Sequence, residues 1–172
     1  MANNCCYDMK VVGKTKESVE RLLSIMQYKD TEFYMYRVFS AESGLDAEQD
    51  GDLWVLSICG DVAWSCKEWV HGVRGKDYPC AENGSKFANL QEICRALDIG
   101  VEIWSDEPGM GFEEHYIIDH NGTVVVDECE EYMLVEDEDG ELKEDSDGNW
   151  VKDGGFKEFM DWAFANEIYG LE

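Results

Sequence analysis

At 172 residues the chain is sized for one domain, and its formal net charge of −25 excludes direct binding to DNA, RNA or an anionic membrane, which needs a basic surface to release counterions. Hydrophobic residues at 44% and aromatics at 12% exclude a disordered chain, so the acidity belongs to something folded. Met1 to Asp8 offers no basic n-region or apolar h-region, and no run of 18 apolar residues occurs, which predicts a cytoplasmic protein with reduced thiols.

Tyr7, Met9 and Val11 alternate with Asp8 and Lys10, the period of a strand, and Gly13 ends it. Thr15 can cap a helix carrying Val19, Leu22, Leu23 and Met26 on one face. Residues 33–40 are aromatic and β-branched enough for a second strand, and an acidic loop over 41–52 follows. The nearly all-apolar run Leu53 to Gly60 predicts a strand that is central or covered on both faces. Asp61 is a fair N-cap for a short helix holding Val62, Trp64, Cys66, Trp69 and Val70, and residues 72–86, with Gly72, Gly75, Pro79 and Gly84, read as a loop. A helix over 87–97 carries Leu90, Ile93, Cys94 and Leu97. Strands follow over 101–104 and 115–119, and Asn121-Gly122 predicts a hairpin returning through 123–126. Phe156, Phe159, Met160, Ala163 and Phe164 mark a final amphipathic helix.

The class is therefore α+β. The first six elements fall in the split βαβ order of a ferredoxin-like fold, an antiparallel sheet with helices on one face. With only Pro79 and Pro108 and no linker-like stretch, residues 1–172 read as a single domain. It comprises a body with hairpin over 3–126 and an acidic extension with the terminal helix over 127–172.

Three patches carry a resemblance: the strand that follows Asn4-Cys5-Cys6, the segment from Gly60 to Cys66, and the run from Glu107 to Tyr116. They resemble the YubB-like group of phage- and plasmid-borne proteins with a ferredoxin-like domain. The likeness spans residues 3–126 and leaves the acidic extension outside. It implies the fold and a mobile-element origin in a bacterial host, and it brings no active site with it.

Charge is lopsided along the chain. Residues 101–172 carry 23 acidic and 3 basic side chains, against 16 and 11 in residues 1–100. A one-sided excess builds a directed field, which selects a partner type rather than a chemistry. The candidate partner-binding residues are Glu128, Glu130, Glu131, Glu136, Asp137, Glu138, Asp139, Glu141, Glu144, Asp145 and Asp147.

Other chemistries fit less well. An EF-hand needs an acid five residues before its glycine and a glutamate six after. Gly140 has Val135 and Ser146 there, and Gly148 has Lys143 and Gly154, so both frames fail. The glycines mark hairpin turns instead, with weak cation binding by the dense carboxylates left open. Among seven cysteines, Cys5 and Cys6 point to opposite faces of a strand, no Cys-x-x-Cys occurs, and His71, His115 and His120 are scattered, so no zinc site and no cofactor is expected. An odd number of free structural thiols is the reading.

A thiol nucleophile would pair Cys66 or Cys129 with His115, but Asp127, Glu128, Glu130 and Glu131 disfavour a thiolate at Cys129. Neighbouring strand residues face apart, so at most Glu113 and His115 share a face. No phosphate loop, nucleophile elbow or zincin motif is present. Trp54, Trp64 and Trp104 read as core, while Trp69, Trp150 and Trp162 flank polar stretches and suit partial exposure beside carboxylates.

The expectation is a non-enzymatic inhibitor that occupies the basic nucleic-acid site of a host defence protein, a CRISPR effector or a restriction enzyme, as a DNA or RNA mimic. The alternatives are an immunity protein or antitoxin against a basic nuclease toxin, and an enzyme or metal protein working from the His115 region.

Overall fold

The computed structural model describes residues 3–73 and 80–171. In chain order the elements are β1 (Asn4–Gly13), α1 (Lys16–Met26), β2 (Phe33–Tyr34), β3 (Val38–Glu42), β4 (Glu48–Asp50), β5 (Leu53–Ala63), α2 (Lys67–His71), β6 (Lys86–Phe87), α3 (Leu90–Leu97), β7 (Ile99–Glu107), β8 (Phe112–Ile118), β9 (Val124–Leu134), β10 (Lys152–Gly154) and α4 (Ala165–Tyr169). Eight strands make one antiparallel sheet in the order β10-β9-β8-β7-β1-β5-β3, with β4 also on β5. Strands β2 and β6 form a small parallel pair apart from it. The protein is α+β, built on one large antiparallel sheet. No helix among the described residues is long and apolar enough to cross a membrane.

Strand periodicity divides the core. Cys5, Tyr7, Met9 and Val11 of β1 join Leu56, Ile58 and Val62 of β5 under α1, α2 and α3. The opposite face carries Val12 and Leu53, covered by Ile168 and Tyr169 of α4. Helix α1 starts where Thr15 Oγ1 accepts the Ser18 N–H at 3.2 Å, and it buries Val19, Leu22, Ile25 and Met26. Helix α3 opens with a reciprocal capping box between Asn89 and Glu92 and buries Leu90, Ile93, Cys94 and Leu97.

Several elements differ from their sequence pattern. The strand expected over 33–40 is cut in two, because Arg37 takes a left-handed backbone (φ 55°) between β2 and β3. Asp61 caps no helix. Strand β1 pairs with β5 from Asn4↔Ala63 to Gly13↔Trp54, so Asp61 is a ladder residue, and its N–H donates to Ser40 Oγ at 3.0 Å. The helix begins at Lys67 instead. Phe87 belongs to β6 and not to α3. Of the loop read over 72–86, residues 74–79, with Gly75 and Pro79, lie outside the described residues.

Strands β7, β8 and β9 are all longer than expected, and β9 passes straight through residue 126. The largest difference is at the end of the chain. The helix expected from Phe156 to Phe164 does not form, and only Ala165–Tyr169 is helical. Gly154 and Gly155, at φ 100° and 79°, turn the chain back over the sheet. Phe156 and Phe159 then meet the Trp104 ring edge-on at 5.3 and 5.5 Å. Apolar side chains spaced for a helix thus cover a flat surface from an irregular strap.

Two tryptophans exchange roles. Trp69, read as suited to partial exposure, is 0% exposed, and Trp64, expected in the core, is 46% exposed. Trp69 Nε1 donates to the Tyr36 carbonyl at 2.8 Å, and its ring meets Tyr7 edge-on.

Candidate functional site

Every residue from Glu136 to Trp150 is exposed, and the stretch carries eight carboxylates against Lys143 alone. Its sequence is a tandem octad, Val135 to Leu142 and then Lys143 to Trp150, and each octad folds into a tight hairpin. Asp137 Oδ1 accepts the N–H groups of Asp139 and Glu141 at 2.9 and 3.0 Å, with Gly140 at φ 81°. Asp145 Oδ1 accepts those of Asp147 and Asn149, both at 2.9 Å, with Gly148 at φ 82°. This is a three-residue hairpin loop that ends in a left-handed glycine. The turn between β8 and β9 is the same device, since Asp119 Oδ1 accepts from Asn121 and Thr123 and Gly122 has φ 77°.

The two hairpins are locked at their root by a ring of main-chain bonds. Val135 N–H donates to the Val151 carbonyl, Lys143 to Val135, and Val151 to Lys143, at 2.9, 2.8 and 2.8 Å. The arm that results holds Glu136, Glu138, Asp139, Glu141, Glu144 and Asp147 in fixed relation. Asp137 and Asp145 each give one carboxylate oxygen to their own turn, and the Asn149 and Asp147 N–H groups hold the Asp145 carboxyl below its ordinary value. Trp150 and Leu142, at the same octad position, are 48% and 40% exposed. Trp162 is half-buried.

Glu128, Glu130 and Glu131 lie lower, on β9. Glu128 faces His115 at 3.4 Å, so its charge is partly engaged. Asp127, beside them, bonds His71 Nε2 at 2.7 Å.

Not all of the acid excess is surface charge. Glu102, Glu107, Glu113 and Glu114 are buried, each at 2% exposure or less. Glu114 accepts from Ser65 Oγ, the Cys66 N–H, Ser105 Oγ and the Tyr116 hydroxyl, at 2.5 to 2.9 Å. Glu113 takes Lys152 Nζ at 2.8 Å and the Phe156 N–H at 2.7 Å. Burial lowers the Lys152 ammonium, but its bonds to Asp106 and Glu113 outweigh that and raise it. Glu107 caps the turn at Gly109 and Met110.

Glu102 accepts from the Ala163 N–H and from His115 Nε2 at 2.8 Å. The His115 ring stacks on Trp104 at 3.7 Å. Both imidazole nitrogens therefore go to carboxylates, and neither cysteine proposed as a nucleophile reaches them. Cys66 lies on the opposite face of the sheet with Glu114, and Cys129 is registered against Glu114 rather than His115. Glu113 and His115 do share a face, with their acids spent on Lys152 and the strap.

Neither candidate nucleophile is favoured as a thiolate. Burial pushes Cys66 well up, and burial followed by Glu114, Glu131 and Glu130 raises Cys129. Burial and Asp61 bring Cys6 up to about 11. All seven cysteines are unpaired. Cys5, Cys66 and Glu114 place ligand atoms within 4.8 Å of one another. Four donors already occupy the two Glu114 oxygens, so the trio fits a satisfied polar network better than a metal cage.

No family model, no curated protein and no solved structure matches the chain. The octad repeat was readable in the sequence as Asp-x-Asp-Gly twice over at a spacing of eight. The buried carboxylates carried no comparable signal.

Proposed function

We propose that the protein is a non-enzymatic, acidic mobile-element protein that blocks a nucleic-acid-binding defence protein of a bacterial host. It would act in the cytoplasm by lodging its arm in the basic groove of a CRISPR effector or a restriction enzyme. The observation that carries this reading is the arm itself: fifteen exposed residues, folded into two braced hairpins, presenting carboxylates almost without counter-charge. Same-face residues of a strand recur every roughly 6.6 Å, comparable with the spacing of phosphates along one nucleic-acid strand. Bracing also removes the ordering cost that a floppy acidic tail would meet on binding.

In finer terms the body reads as ferredoxin-like. Support comes from the order β7-β1-β5-β3, joined through α1 and α3, which is the order a split βαβ pair produces. That order is also the support for kinship with the YubB-like group.

The test is charge reversal of the arm, Glu136→Lys, Glu138→Lys, Glu141→Lys and Glu144→Lys together. The expected result is an unchanged fold with loss of the partner that the wild-type protein retains from a bacterial lysate at low salt and releases at high salt. Single exposed contacts are worth roughly 0–1 kcal/mol, so four are combined. Nucleic acid should displace the retained partner, and association should slow more than dissociation speeds up. Retention of the partner by the reversed variant would remove the mimic reading. A nuclease toxin as the partner would favour an immunity protein.

A further inference from the structure

A cavity of about 580 Å³ opens between the β2–β3 connection and the end of β5, lined by Tyr36, Arg37, Val62, Ala63, Trp64, Ser65 and Glu68. The volume lies within the roughly 300–1,000 Å³ of small-molecule sites. The backbone of its wall is strained. Among the described residues, the non-glycine positions with positive φ are Tyr28, Arg37, Trp64, Asp98 and Met160. Tyr28 and Asp98 follow α1 and α3, where a left-handed residue is an ordinary helix stop. Of the other three, Met160 (φ 64°) lies in the strap, while Arg37 (φ 55°) and Trp64 (φ 72°) end no helix and both line this cavity. The Ser65 N–H donates to the Ala63 carbonyl at 2.9 Å across Trp64, which makes the strained form of a γ-turn with a bulky residue at its centre.

Much of the body is arranged to hold that turn. The buried Glu114 anchors the two residues after Trp64 through Ser65 Oγ and the Cys66 N–H. The Trp64 N–H donates to the Asn3 carbonyl and the Ala63 N–H to the Arg37 carbonyl, at 2.9 and 3.2 Å. Trp69 fixes the Tyr36 carbonyl from below. What this bracing delivers is an indole left 46% exposed, so burial does not explain it. Arg37 lies over the Tyr36 ring at 5.0 Å and has no carboxylate partner among the described residues, although acids outnumber bases 39 to 14 in the chain.

We infer that this cavity is a preformed binding site for a planar aromatic ligand carrying one anionic group, such as a nucleoside monophosphate. Trp64 stacks the ring. Arg37, already oriented by Tyr36, pairs with the anion through its forked donors. One guanidinium in a chain of this charge matches a single anionic group and not a strand with many phosphates. The site is independent of the acidic arm.

Calorimetric titration of the full chain with AMP tests it. Saturable binding with a Kd below about 1 mM is expected, with adenosine and inorganic phosphate each at least about tenfold weaker. Trp64→Gly and Arg37→Gly relieve the left-handed strain, so each should keep or raise Tm while weakening AMP binding at least about tenfold. Added salt screens the protein's overall negative field, so AMP binding should fall far less with salt than partner binding by the arm. The inference is overturned by no saturation up to about 10 mM AMP, or by unchanged affinity in both variants. It is equally overturned by tighter binding of free arginine or of a short single strand than of AMP.

Discussion

The arm and the sheet beneath it use the same residue types for opposite ends. Between Glu136 and Trp150 eight carboxylates face water, whereas Glu102, Glu107, Glu113 and Glu114 lie at 2% exposure or less in the body. What separates the two sets is the supply of donors. Glu114 has four, from Ser65, Cys66, Ser105 and Tyr116, while Asp137 and Asp145 are the arm acids that collect main-chain N–H groups. An acid inside the sheet is a brace, whereas six of the eight on the arm are free charge. Net charge alone cannot distinguish them.

The largest effect should come from removing a brace. Glu114→Ala leaves a main-chain N–H and three hydroxyls without their acceptor in a buried site, at a cost of about 3–5 kcal/mol. Denaturant unfolding should show it, whereas the fourfold reversal on the arm should change stability by less than about 1 kcal/mol. Equal losses from both would erase the distinction between brace and free charge.

Much of this contrast was hidden from the sequence for identifiable reasons. The alternation in Tyr7, Met9 and Val11, the cap at Thr15, and the Asn121-Gly122 turn are local signals, and the elements they announce exist. Asp61 and the Phe156–Phe164 stretch mislead because tertiary pairing decides them. Pairing with β1 draws Asp61 into β5, and the open face of the sheet draws the aromatic residues into a strap. Trp64 and Trp69 differ by five positions in similar surroundings, and only the strained turn at Trp64 sends one outward. Glu114 was legible only as an acid beside a histidine, because its donors lie 9 to 49 residues away apart from Tyr116, two residues on.

Within a single turn type the same contrast can be measured. Gly122, Gly140 and Gly148 occupy the same left-handed position, at φ 77°, 81° and 82°. A methyl group at Gly122 would sit 2.2 Å from the Gln91 carbonyl oxygen of α3, whereas nothing lies within 4 Å at Gly140 or Gly148. Gly122→Ala should therefore cost about 3 kcal/mol in global stability, combining backbone strain with a forced shift of α3. Gly140→Ala carries the strain term alone, about 1 kcal/mol, and it should appear as faster amide exchange in the first hairpin with little change in Tm. A global loss from Gly140→Ala as large as that from Gly122→Ala would mean that the arm and body unfold as one unit.

The smallest effect separates the regions by pH. The Tyr169 hydroxyl, at 2.7 Å, and His120 hold the Asp98 carboxyl below its ordinary value, tying α3 to α4, while Asp145 is lowered by the main chain of its own turn. A depressed carboxyl contributes stability that is fully present above its unfolded value of about 3.9 and is lost as pH falls through the folded value. Asp98→Asn should accordingly lower Tm at pH 7, and the gap from wild type should close as the pH drops below about 4. The side chain is about half exposed, so the gap stays under about 1 kcal/mol. Asparagine tolerates the left-handed backbone at this position (φ 54°), so the substitution reads the charge and not the conformation. Asp145→Asn should leave the global acid transition where it is and loosen the exchange protection of Asp147 and Asn149, whose N–H groups it holds. Should the global transition move with Asp145 and not with Asp98, the arm would be part of the cooperative core, and its carboxylates could not be treated as free charge.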